Sequence, residues 1–124
     1  MAQKITVLFV EDDAGIREVI PSILPEGEFT VLVADSGYAA LRILAGRHVD
    51  VLFTDIVMPE LDGIELAKEA MDLCPSLRVL FMTGFLGPDE EAEQIAPLFY
   101  KPIRIRDIEY AIRTVLADPP GQLN

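Results

Sequence analysis

Five short runs dominated by Val, Ile, Leu and Phe recur along the chain, beginning near Ile5, Phe29, Val49, Arg78 and Leu98. Stretches with apolar residues at helical spacing separate them, which predicts an alternation of strands and helices. The runs 5–10 and 51–54 are almost continuously apolar, as strands are when helices cover both faces of a parallel sheet. They belong in the middle of that sheet.

Between the runs, Ile16, Val19 and Ile23 share one helical face, as do Ala40, Leu41 and Leu44, then Leu66, Ala67 and Ala70, and finally Ile105, Ile108 and Ile112. Pro21 falls inside the first of these stretches, where it removes a hydrogen bond and clashes with the preceding turn. That helix is expected to be short or kinked, and to end at Pro25 and Gly27. Pro75 closes the third helix, and Asp118-Pro119-Pro120-Gly121 stops the last. The expectation is one doubly wound α/β domain over residues 1–124, with a core from about residue 4 to 117 and a polar tail at 118–124. No linker to an output domain is visible.

Charge narrows the function. The 21 acidic residues against 10 basic ones give a formal net charge of −11, a field that repels nucleic-acid phosphates and anionic lipid headgroups. Neither nucleic acid nor membrane is an expected partner, and no apolar run is long enough to cross a bilayer. Cys74 stands alone, so no internal disulfide forms; without a secretory pattern at the N-terminus, the expected location is cytoplasmic. Cys74 reads as a small apolar group at a helix end and His48 as a loop residue.

In a doubly wound sheet, functional groups gather beyond the carboxyl ends of the strands. The first strand ends in Glu11-Asp12-Asp13, the third in Asp55, the fourth in Thr83-Gly84 and the fifth in Lys101-Pro102. Carboxylates converging with few bases repel one another unless a hard cation lies between them, and Mg²⁺ suits an open oxygen-ligand site of one or two carboxylates. An aspartate there can act as a nucleophile toward phosphorus and form an acyl phosphate. Lys101 would pair with phosphoryl oxygens as a point charge, and the Thr83 hydroxyl would hydrogen-bond another. Gly84 and Gly87 do not make a nucleotide-binding loop, because no Lys-Ser or Lys-Thr follows.

With these residues in place, the chain from about Ile5 to Leu116 resembles the receiver domain of two-component response regulators. The carriers are Val10-Glu11-Asp12-Asp13, the segment from Thr54 to Gly63 (TDIVMPELDG), Thr83-Gly84 and Lys101-Pro102. The resemblance implies a flavodoxin-like sheet in the order 2-1-3-4-5, with Asp55 as phosphoacceptor. It further implies Mg²⁺ held by Glu11, Asp12, Asp55 and the Val57 backbone carbonyl, Asp12 being the direct acidic ligand, and a cis Lys101-Pro102 bond. Arg17, at the family's usual offset, selects Glu11 and Asp12 as the acidic pair and leaves Asp13 as a helix N-cap or an auxiliary acid.

Implied partners are a sensor histidine kinase or histidine phosphotransfer protein and a downstream protein target. The domain would then carry a signal or act as a phosphate sink. Receivers also remove their own phosphoryl group, which leaves enzyme status a matter of convention. Two alternatives are a phosphorylation-independent receiver-like scaffold and an aspartyl-phosphate hydrolase. The hydrolase would want a second acid two residues after the nucleophile, where Val57 stands.

The sequence departs from the family pattern at two places. The interval from Thr83 to Lys101 is about four residues short by comparison with the pattern the resemblance implies, so the fourth helix is expected to be short or missing. Pro88 and the acids after it predict a helix start, and Pro97 limits the run to about two turns. Leu98 stands where the family has an aromatic; Phe85, Phe99 and Tyr100 are the candidate substitutes, with Phe85 preferred.

Overall fold

The computed structural model describes residues 3–84 and 89–117. Five apolar runs form strands β1 (Ile5–Val10), β2 (Phe29–Ala34), β3 (Val51–Asp55), β4 (Arg78–Thr83) and β5 (Leu98–Tyr100). They make one parallel sheet in the order β2-β1-β3-β4-β5, so β1 and β3 lie inside it, as their unbroken apolar character required. Phe9 pairs with Phe53, Asp55 with Met82 and Thr83 with Tyr100, which brings the carboxyl ends of the four strands that carry chemistry to a common edge.

Helices α1 (Ala14–Val19), α2 (Gly37–Gly46), α3 (Gly63–Leu73) and α4 (Glu90–Ile95) connect the strands, and α5 (Ile105–Ala117) follows β5. Their starts are set by side-chain oxygens that accept from otherwise unpaired amides. Asp13 accepts from Ile16, Ser36 from Ala39, Asp62 from Glu65 and Asp89 from Ala92. Asp13 thus takes the capping role that the sequence had left as one of two. The fourth helix is present and has six residues, ended as Pro97 required. Pro88, Phe85, Gly87 and the expected tail lie outside the described residues.

The helices cover the sheet unequally. On one face α2, α3 and α4 enclose Leu8, Leu52, Leu66, Val79 and Phe81, all buried. The other face carries α1 and α5 over Phe9, Phe53, Leu80 and Met82. Here the expected apolar face of α1 is only half realised. The helix stops at Val19, a 3-10 turn over Ile20–Ser22 follows with Pro21 inside it, and only Ile20 is buried there. Ile16 and Val19 remain 38% and 56% exposed, above an open groove of about 590 Å³ that runs to Ile105 and Ile108 of α5. Phe29, Phe53 and Phe81 are core residues as expected. His48 is exposed and pairs with Asp50, and Cys74 caps α3 with its thiol directed at the Leu44 carbonyl.

Candidate functional site

Glu11, Asp55, Thr83 and Lys101 meet at the carboxyl edge of the sheet because each stands at, or one residue past, the end of its strand. Glu11, Asp55 and Thr83 are buried, while Asp12 is exposed at the rim. One oxygen from each of Glu11, Asp12 and Asp55 can be chosen so that all three lie within 4.8 Å of one another. That spacing and the all-oxygen donor set fit a hard divalent cation. Val57 lies in the loop after β3, two residues beyond Asp55, with an exposed side chain.

Lys101 ties the cluster together. Its Nζ donates to Glu11 Oε1 at 2.7 Å and to Asp55 Oδ2 at 2.8 Å, linking β5 to β1 and β3 across the sheet edge. The backbone supports this reach, since the Lys101 amide donates to the Thr83 carbonyl and the Lys101-Pro102 bond is cis, as the resemblance implied.

Electrostatics follow from this packing. Burial pushes the Glu11 carboxyl above its ordinary range, and repulsion from Asp55 adds to that; bonds from Lys101 and the Asp13 amide pull the other way without cancelling it. For Lys101 burial is the largest single influence and pulls the ammonium down. The hydrogen bonds to Asp55 and Glu11 and their charges together outweigh it, so the group stays above its ordinary value. One lysine ammonium set against three clustered carboxyl groups is a site that can take up another cation.

The loop from Ile56 to Asp62 is held on several sides. Ile56 donates to Met82, Gly63 donates back to Ile56, and a side chain at Gly63 would overlap the Asp55 carbonyl oxygen. Only glycine lets α3 begin this close to the Asp55 backbone. Glu60 takes the left-handed conformation at φ 68°, which is uncommon for a residue with a side chain.

Of the aromatics weighed against Leu98, Phe99 packs on Phe53 beneath α5, and Tyr100 lies beside Thr83 in the register. Phe99 therefore belongs to the core on the opposite face from Leu98, which packs toward α4. Arg17 served in the sequence only to fix an offset. In the structure its guanidinium donates to the Glu11 carbonyl at 3.0 Å and holds the acidic turn in place.

Fold and site together define a doubly wound α/β domain with an acidic, lysine-bridged pocket at its strand ends, and comparison with known proteins specifies it. The family model described as the response regulator receiver domain matches residues 7–112, and the chain belongs to that family. It is 38% identical over 114 residues to the response regulator receiver protein CpdR of Brucella abortus, covering 89% of this chain and 95% of that one. The sporulation initiation phosphotransferase F of Bacillus subtilis is 29% identical, with 89% and 92% covered. Some relatives are longer: the chain spans 52% of the transcriptional regulatory protein CreB of Escherichia coli. Among solved structures, a response regulator receiver domain protein from Clostridium thermocellum superimposes with a TM-score of 0.82 at 27% identity. That match covers 91% of this chain and 94% of the other.

Proposed function

We propose that this domain accepts a phosphoryl group on Asp55, in a Mg²⁺-dependent reaction, from a phosphohistidine of a sensor histidine kinase or histidine phosphotransfer protein. The observation that carries the reading is the Lys101 ammonium held between Asp55 and Glu11, with Asp12 beside them. An Asp55 oxygen forms the new bond to phosphorus as the phosphorus–nitrogen bond breaks, and the electron pair of that bond leaves with the imidazole. Lys101 already lies 2.8 Å from Asp55, placed to follow the charge onto the phosphoryl oxygens. Thr83, buried at the end of β4, would donate its hydroxyl to one of them.

Glu11, Asp12, Asp55 and the Val57 carbonyl would hold the metal, which would supply neutralising charge for phosphoryl oxygens. Phosphorylation adds negative charge beside Glu11 and draws Lys101 away from its present partner, which alters the surface that a cytoplasmic protein target reads. The relative from Bacillus subtilis is named a phosphotransferase, and a role as carrier or sink within a relay is in keeping with that name.

The test is intact mass after incubation with acetyl phosphate, with and without Mg²⁺, on wild type and Asp55→Asn. A phosphoryl adduct on wild type alone, formed only with Mg²⁺, is the expected result. An unmodified wild-type mass, also after incubation with a phosphorylated partner kinase, would favour the scaffold reading instead.

A further inference from the structure

The start of α2 lies directly against the loop that follows Asp55. Gly37, the first residue of α2, is buried, and a Cβ placed on it would come within 2.9 Å of Leu61 Cδ2, 3.0 Å of Leu61 Cβ and 3.0 Å of the Leu61 carbonyl oxygen. The first atom ends a flexible side chain and could swing aside. The other two move only with the backbone of Leu61, which is itself buried.

Leu61 has little freedom to yield. It follows the left-handed Glu60, precedes Asp62, whose carboxylate caps α3, and lies two residues before Gly63, which is pressed against Asp55. On the other side, Ser36 caps α2 through the Ala39 amide and fixes Gly37 relative to the helix. The contact thus joins two well-anchored helix starts, and the segment between Asp55 and Leu61 carries Val57 and its carbonyl.

From this we infer that Gly37 is a positioning residue for the phosphorylation site: by letting α2 approach Leu61, it sets where the loop after β3 presents the Val57 carbonyl and the Asp55 backbone. The inference rests on the proposed role of that loop in holding Mg²⁺. It assigns to the second helix, which contributes no ligand, control over metal affinity.

The experiment compares two glycines of the same helix. At Gly46, the last residue of α2, a Cβ would meet nothing within 4 Å, so Gly46→Ala changes helix propensity alone. Mg²⁺ titration by calorimetry, with ¹⁵N amide shifts of residues 56–63 recorded in metal-free buffer, is run on wild type, Gly37→Ala, Gly46→Ala, Leu61→Ala and the Gly37→Ala/Leu61→Ala double variant. Gly37→Ala is expected to shift the loop amides and weaken Mg²⁺ binding about tenfold or more, which corresponds to about 1.4 kcal/mol. Gly46→Ala should leave both readouts at wild-type values. The double variant should still bind Mg²⁺ more weakly than Leu61→Ala, because the Cβ and carbonyl oxygen that meet the added methyl remain in Leu61→Ala.

A folded Gly37→Ala with wild-type affinity and amide shifts would overturn the inference while leaving the phosphoacceptor reading intact. Should Gly37→Ala not fold, the double variant is compared with Leu61→Ala, and equal affinity in those two counts against the inference. If wild type itself binds no Mg²⁺, the functional reading fails first and this inference falls with it.

Discussion

The two faces of the sheet have the same kind of strand beneath them and differ in what covers them. On one, α2 and α3 run for ten and eleven residues and bury Ala40, Leu44, Leu66, Ala67 and Ala70 against the strands. On the other, α1 lasts six residues and buries none of its own side chains, and the groove between it and α5 stays open. The difference comes from local chain chemistry: Pro21 stops α1 after less than two turns, before its apolar face can reach α5. The closed face holds the loop after Asp55 rigidly, through Gly37 and Gly63. The open face leaves Glu11 and Lys101 at the mouth of an apolar groove. A site pinned on one side and open on the other can keep Asp55 fixed while leaving Lys101 room to move.

The most severe test of this contrast is a cavity on the closed face. Leu66 is fully buried between α3 and the sheet, and Leu66→Ala removes apolar contacts that cannot be replaced by collapse of a tightly packed layer. The expected loss is about 2–5 kcal/mol in urea denaturation. A loss below about 1 kcal/mol would mean that the closed face is no better packed than the open one.

Much of this molecule is legible in its sequence, and the parts that are not share a cause. The strands were readable because a parallel strand buried on both sides must be apolar throughout, as 5–10 and 51–54 are. Glu11, Asp55, Thr83 and Lys101 were readable because polar residues directly after such runs have to lie at the strand ends, where the crevice forms. Helical spacing placed Ile16 and Val19 on the inner side of α1 correctly, but periodicity gives a direction and says nothing of whether a partner arrives. Their exposure depends on how far α5 stands from a helix cut short by Pro21. The Lys101–Glu11 bond spans 90 residues and depends on the register of the sheet, and the Gly37–Leu61 approach depends on how two helix starts pack. Neither leaves a local pattern in the chain.

A smaller effect is expected where the faces meet, at Glu11. Its carboxyl holds a proton more tightly in the folded chain than in the unfolded one. Folding therefore gains from protonation of Glu11 at low pH, and that gain is lost as pH rises from about 4.5 through the folded value. Lys101 follows the same course at the alkaline end: its contribution is complete below about 10.5 and disappears as pH rises through its raised value. In metal-free buffer at neutral pH, Glu11→Gln should change stability by no more than about 1 kcal/mol, because it removes a charge that burial disfavours but keeps one oxygen to accept from either Lys101 or the Asp13 amide. Its acid-side pH dependence should be flatter than that of wild type. Adding Mg²⁺ at a hundred times its Kd should stabilise wild type by about 2.7 kcal/mol and the variant by less. Metal removal would erase the wild-type gain. Thermal unfolding over a pH series, with and without Mg²⁺, reads all of this; a Glu11→Gln protein that loses several kcal/mol without metal would show that the ion pair to Lys101 is a structural requirement rather than a poised charge.

The smallest effect belongs to the open face, and its smallness is what makes it informative. Val19 ends α1 with more than half of its surface in solvent, so Val19→Ser forfeits little transfer free energy and creates no enclosed cavity. Stability measured by urea should stay within about 0.5 kcal/mol of wild type. The same holds for Ile16→Ser at the helix's other turn, where exposure is lower and the expected loss slightly larger, still under about 1 kcal/mol. If Val19→Ser instead cost as much as a core truncation, α1 would have to close onto α5 in solution and the groove would be filled by the chain's own side chains. The two faces would then be alike, and the contrast between a pinned loop and an open groove would be lost.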